Sequence, residues 1–255
     1  MRGRRPLDAD ERVCQARVAV AKPALPAASD FDAVLFDAGG TLIELDFEFI
    51  ARCAGEHGVE LSTGALRRGE VVARQRIDEG ARQAGRVPGR DADRRFRYFA
   101  VLLESAGVAP GRAAPIVERL ESSHAEAALW RVEIEGAGAV LSALRARGVT
   151  TGVVSNADGR VEALLRDRDL TRHLALVVDS HIEGVEKPDP EIFRRALSRL
   201  SLEARRTLYV GDIYSIDALG ARAAGLTPVL LDPLGGYSDA DCATIGSLHS
   251  LLDAL

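Results

Sequence analysis

The run Ala33-Val34-Leu35-Phe36-Asp37-Ala38-Gly39-Gly40-Thr41-Leu42 begins with apolar residues that read as a buried strand. An acid set directly after such a strand stands at the carboxyl edge of a sheet, where open α/β folds bind their ligands. Two glycines and a threonine then let the backbone turn tightly beside that acid. A carboxylate placed there is available as a nucleophile or as a hard oxygen ligand.

Outward from this run, strand-like stretches recur at Thr151–Val154, Leu174–Val178, Thr207–Val210 and Pro228–Leu231. Helical patterns separate them. Val140, Leu141 and Leu144 share a face that ends at Gly148, and Val161, Leu164 and Leu165 share another. Pro190 opens a third helix, with Ile192, Phe193, Ala196, Leu197 and Leu200 on its apolar side. Ile216, Leu219, Ala223 and Ala224 form a fourth, stopped by Gly225. Strands alternating with helices predict an α/β fold, a Rossmann-like parallel sheet with crossover helices. The alternation breaks once. Between about Asp46 and Ala128 four helices are expected, over Phe47–Glu56, Gly64–Gln83, Asp93–Ser105 and Ala114–Leu129, with breaks at Gly58, Pro88-Gly89 and Pro110-Gly111. An all-helical insert just after the first strand predicts a cap over the catalytic edge, excluding water and selecting substrates. The expected organisation is a disordered basic leader (residues 1–29), a core (30–45 and 136–255) and a helical cap (46–135).

Composition narrows the function classes. A net charge of −5 argues against general nucleic-acid binding, and no run approaches a membrane span. Cys14, Cys53 and Cys242 are few, odd in number and without metal-binding spacing, which predicts a reduced, cytoplasmic setting. Lysine occurs only at Lys22 and Lys187, against 31 arginines, so a lysine in the folded part needs a chemical reason.

The ends of the later strands carry that chemistry. Ser155-Asn156 offers a hydroxyl and backbone N–H groups for phosphate oxygens. Lys187 gives a compact point charge able to neutralise a phosphate and a neighbouring carboxylate together. Asp212 with Asp37 offers oxygen ligands for Mg²⁺, and Asp217 either orients a metal-bound water or pairs with Lys187. Gly211 lets the backbone pass close to the site. This ordered set resembles the haloacid-dehalogenase-like hydrolase superfamily over about residues 31–232, in the subfamily with a helical C1 cap. The resemblance implies that Asp37 is the nucleophile of a phosphatase and that Thr41, Ser155, Asn156 and Lys187 hold the phosphoryl group of a small phosphorylated substrate. It also implies Mg²⁺ on Asp37, Asp212 and the Gly39 carbonyl, with Asp217 completing the acidic set.

One position departs from the superfamily's Asp-x-Asp-x-Thr pattern: Gly39 stands where the second aspartate acts as general acid and base. General acid–base catalysis is worth about 10²–10⁴ in rate, so the substitution restricts the leaving group without removing the nucleophile. Glu44, Asp46 and His57 are candidates to reach back and supply the proton. The alternatives are a phosphate-binding pseudo-hydrolase that acts through protein docking, and a haloacid dehalogenase, whose relatives also lack this aspartate. The retained Asp212 counts against dehalogenation. Phosphonate cleavage through a cap lysine is disfavoured because residues 44–136 contain no lysine. The clusters Arg67-Arg68 and Arg94-Arg95 with Arg97 either contact an anionic substrate or form a salt-bridged surface, and Trp130 is expected to pack at a hinge between cap and core.

Overall fold

The computed structural model describes residues 23–254, so most of the expected leader lies outside the described residues. Strands β1 (Ala33–Phe36), β4 (Thr150–Ser155), β5 (Leu176–Asp179), β6 (Thr207–Gly211), β7 (Thr227–Leu231) and β8 (Ala243–Ile245) form one parallel sheet in the order β5-β4-β1-β6-β7-β8. The expected α/β sheet is therefore present. The chain fills one side of β1 and then crosses to the other, so the switch point lies at the carboxyl ends of β1, β4 and β6. Phe36 is level with Val153 and Val210, which sets Asp37, Ser155 and Asp212 along one edge.

Burial explains why these segments are strands. All four side chains of β1 are buried, as central strands of a two-sided parallel sheet require. Helices α5 (Ala137–Ala146) and α6 (Val161–Arg166) cover one face, packing Val140, Leu141, Leu144 and Leu165 on Val34, Phe36 and Val153. Helices α8 (Pro190–Leu200) and α9 (Leu219–Ala223) cover the other, where Ile192, Phe193 and Ala196 meet Leu35, Val154 and Tyr209. Asp189 caps α8, accepting the Glu191 N–H at 2.9 Å, with Pro190 at the first helical position.

The insert holds α1 (Phe47–Glu56), α2 (Thr63–Ala84), α3 (Asp91–Ser105) and α4 (Ala113–Glu126), with a core of its own around Ile50, Leu66, Phe99, Leu102 and Leu120. The last of these ends earlier than its periodicity suggests. Ala127 leaves helical geometry, and the chain returns as β3 (Trp130–Glu133), paired antiparallel to β2 (Ile43–Leu45). This two-stranded neck carries the chain out of the sheet domain and back. A short four-residue helix, α7 (Ser180–Glu183), follows β5.

Candidate active site

Asp37, Gly39, Ser155, Asn156, Lys187, Asp212 and Asp217 line one cavity of about 610 Å³ between the sheet edge and the insert. Their arrangement is built around Lys187. Its ammonium is buried, 2.9 Å from Asp37 Oδ1 and 2.8 Å from Asp217 Oδ1, and it donates to the Tyr209 hydroxyl at 2.8 Å. Tyr209 in turn donates to the Val154 carbonyl at 2.8 Å. The Asn156 side chain fixes the Lys187 backbone, accepting its N–H at 2.7 Å and donating to its carbonyl at 3.0 Å. That amide is thus occupied with placing Lys187. Burial alone would lower the Lys187 pKa, but the Asp217 and Asp37 charges outweigh it and raise the pKa above its ordinary value.

Asp37 is held by its own turn. Its N–H bonds to the Val210 carbonyl at 2.8 Å, and its Oδ1 accepts the Ala38 N–H at 2.7 Å. Burial pushes its carboxyl up to about 6; Lys187 pulls the other way, Asp217 adds to the rise, and the Ser155 hydroxyl also favours the charged form. Asp217 has both oxygens engaged: Oδ1 with Lys187, and Oδ2 with the N–H groups of Asp212 (3.0 Å) and Ile213 (2.9 Å). It therefore braces the loop that presents Asp212. A side chain on Gly211 would overlap the Asp217 carboxylate, and one on Gly40, at φ +75°, would overlap that of Asp212.

Ligand atoms of Asp37, Asp212 and Asp217 lie within 4.8 Å of one another. Asp212 Oδ1 is buried without a hydrogen-bond partner, as expected of an oxygen awaiting a cation. Burial raises the Asp212 pKa well above the carboxylate range, with Asp217 and Asp37 adding to the rise against the pull of Arg74. The donor set fits a hard divalent cation.

The insert reaches this edge through residues that sequence reading did not single out. Arg74 of α2 pairs with Asp212 Oδ2 (3.0 Å) and Glu70 Oε2 (2.9 Å), and Tyr98 of α3 donates to Glu70 Oε1 at 3.0 Å. Asp78 accepts the Ser215 N–H at 2.7 Å. His124 Nε2 lies 3.3 Å from Asp158 Oδ2, while its Nδ1 accepts the Leu129 N–H at 3.3 Å. Both imidazole nitrogens are thus engaged, Nε2 tying the insert to the loop after β4 and Nδ1 holding the backbone just before β3. His124 and Arg160 hold the Asp158 carboxyl well below the usual range.

Other expected residues stand elsewhere. Thr41 is fully buried, does not line the cavity, and its hydroxyl has no hydrogen-bond partner among the described residues. Glu44 pairs with Arg67, and Asp46 caps α1 and pairs with Arg131 at 2.9 Å; neither of them, nor His57, lines the cavity. Arg95 forks onto Glu121 at 2.8–3.0 Å, and Arg94 is tied to Asp91 and the Pro88 carbonyl, although both face the cavity. Trp130 stands at the neck, as expected, and also lines the cavity.

Comparison with known proteins gives a consistent picture. Residues 31–225 match the family model for haloacid dehalogenase-like hydrolases. The chain is 33% identical to haloacid dehalogenase-like hydrolase domain-containing protein 3 of Homo sapiens, over 86% of this chain and 92% of that protein. The match to the bovine counterpart spans 62% of its length. A phosphoserine phosphatase of Thermus thermophilus is 34% identical over 54% of each chain. Among solved structures, a magnesium-bound HAD hydrolase of Bacillus subtilis shares the fold, with a TM-score of 0.60 at 21% identity, covering 88% of this chain and 97% of that one.

Proposed function

The chain belongs to the haloacid dehalogenase-like hydrolase family, and from that premise we propose that it is a magnesium-dependent phosphohydrolase working through an aspartyl-phosphate on Asp37. The observation that carries this reading is the buried Lys187 held between Asp37 and Asp217, beside an Asp212 oxygen that lacks a partner. A cation buried against the attacking carboxylate neutralises charge that would otherwise repel a phosphoryl group. The Thermus relative, itself named a phosphatase, points the same way.

Asp37 attacks phosphorus, and the bond from phosphorus to the leaving oxygen breaks, its electrons leaving with that oxygen. Water then attacks the same phosphorus, the bond to Asp37 breaks, and phosphate and a proton are released. Ser155 and Lys187 steady the phosphoryl oxygens. The Thr41 N–H closes the turn after Asp37 by donating to the Ala38 carbonyl at 3.2 Å, and Asn156 and Asp217 position Lys187 and Asp212. Asp37, Asp212 and the Gly39 carbonyl would hold Mg²⁺, which when bound supplies charge neutralisation. Gly39 offers no proton to the leaving oxygen, and Glu44, Asp46 and His57, the residues expected to reach back, do not line the cavity. The loss of the acid at position 39 favours a small phosphate compound with a good leaving group as substrate.

The test is hydrolysis of aryl and acyl phosphates with Mg²⁺, expected in the wild type and lost in Asp37→Asn or with chelator. Phosphate binding without any turnover would replace this reading with a docking role, and metal-free halide release from 2-haloacids would replace it with dehalogenation.

A further inference from the structure

We propose that Trp130 and Gly39 form a matched pair in which the indole takes the place of an acid beside Asp37 and serves as the platform for a flat aromatic leaving group, so that the substrates are aryl phosphates. The proposal rests on the phosphohydrolase reading above and narrows it to a substrate class.

The geometry starts at Gly39. A Cβ built there would lie 3.2 Å from Trp130 Cδ1, 3.5 Å from Nε1 and 3.6 Å from Cγ. Three adjacent ring atoms at nearly equal distances mean that the glycine sits over the face of the pyrrole ring; an approach to its edge would leave two of them much farther away. The indole thus turns a face towards the loop that carries Asp37. Its neighbours resist a shift. Phe99, Tyr98 and His124 surround it with ring centroids at 5.6, 5.9 and 5.9 Å, and its backbone is paired with Leu45 in the neck. A Cβ at position 39 would press on the indole, and a ring packed by three others would have to give by a few tenths of an ångström to admit it.

The same indole is half-buried and lines the cavity with Asp37, so part of it is open to a ligand. The wall beside the nucleophile at position 39 is therefore aromatic instead of acidic. Such a wall donates no proton, but it stacks on a flat ring, an interaction worth about 0.5–1.5 kcal/mol. The two properties select the same compounds. A phenol resembles the tyrosine side chain, with a pKa near ~10, and its anion departs unprotonated far more readily than an alkoxide, whose pKa approaches the ~15.7 of water. A cavity of about 610 Å³ accommodates a substituted phenyl phosphate.

Trp130 is the chain's only tryptophan, which gives a readout independent of turnover. In Asp37→Asn, 4-nitrophenyl phosphate is expected to quench the indole fluorescence saturably, beyond its effect on free tryptophan. By calorimetry it should bind roughly 2–13-fold more tightly than glycerol 3-phosphate, the range that stacking energy allows. Adding Trp130→Leu should bring the two affinities within about twofold of each other, and Trp130→Phe, which keeps a ring among Phe99 and Tyr98, should retain part of the preference. A second arm uses turnover of glycerol 3-phosphate. Gly39→Asp alone should gain nothing, whereas Gly39→Asp with Trp130→Leu should exceed it by about tenfold or more, towards the value of a restored general acid. The proposal is overturned if aryl phosphate does not bind, if its preference survives Trp130→Leu, or if Gly39→Asp alone gains as much as the double variant. Failure of the phosphohydrolase reading looks different: the Trp130-dependent aryl preference would persist in binding while no phosphate compound is hydrolysed.

Discussion

Lys187 has its charge neutralised twice, by Asp37 and by Asp217, in a buried place. Removing it leaves two buried carboxylates facing each other. Lys187→Met is therefore expected to cost about 3–5 kcal/mol of stability, measured by urea unfolding, in addition to abolishing turnover. Asp37 gives a second test at this scale. Burial raises its carboxyl to about 6, so in metal-free folded protein it keeps a proton that the unfolded chain releases near its ordinary value of 3.8. Its contribution to stability is present below that ordinary value and is lost as pH rises through about 6. Unfolding with chelator should show wild type losing about 2 kcal/mol relative to Asp37→Asn between pH 4 and pH 7.5. Lys187 was legible because lysine is so rare in this chain. Its partner Tyr209 was not, because a tyrosine in an apolar strand looks like any core aromatic until its hydroxyl is seen between Lys187 and the Val154 carbonyl. Asn156 was read as a phosphate ligand, and its amide is instead occupied with the Lys187 backbone, a distinction that residue type alone does not carry.

Helix α2 shows how charge spacing hides an inward face. Glu70, Arg74 and Asp78 recur every four residues, a pattern that on most helices marks a solvated side. Here the three are buried against the sheet edge, with Arg74 on Asp212 and Asp78 on the Ser215 N–H. Arg74→Met is expected to lower stability by about 3–5 kcal/mol, because Glu70 and Asp212 lose their cation. Added Mg²⁺ should restore more of the melting temperature in this variant than in wild type, since Asp212 is then open to it; an equal response would show that the pairing does not compete with the metal. The neck was missed for a different reason. Strands of three and four residues are too short for periodicity to register, and the apolar pattern of α4 runs on through Leu129 although the backbone turns extended at Ala127. Strand β8, three residues long at the sheet edge, escaped notice in the same way.

At the scale of the molecule, the long runs carried the fold: the alternation after residue 136 and its single interruption already describe a parallel sheet with a helical insert. Sequence order could not tell which insert residues close over the sheet edge, because that depends on how α2, α3 and α4 dock through Arg74, Tyr98 and His124. The whole site should respond to metal as a unit. Mg²⁺ at about a hundred times its dissociation constant should stabilise the protein by about 2.7 kcal/mol, and Asp212→Asn should remove that gain. The kinetic consequence of Gly39 is also a property of the assembled site. On the proposed mechanism a good leaving group departs from phosphorus without help, but position 39 supplies no base to the water that then attacks the aspartyl-phosphate. The intermediate should accumulate. The most direct test is rapid mixing of the protein and Mg²⁺ with excess 4-nitrophenyl phosphate. The account predicts a burst of nitrophenolate approaching one equivalent per chain, followed by slower steady release, with phosphate recovered on the peptide that contains Asp37. Linear release with no phosphoryl group on Asp37, or undiminished turnover in Asp37→Asn, would contradict it.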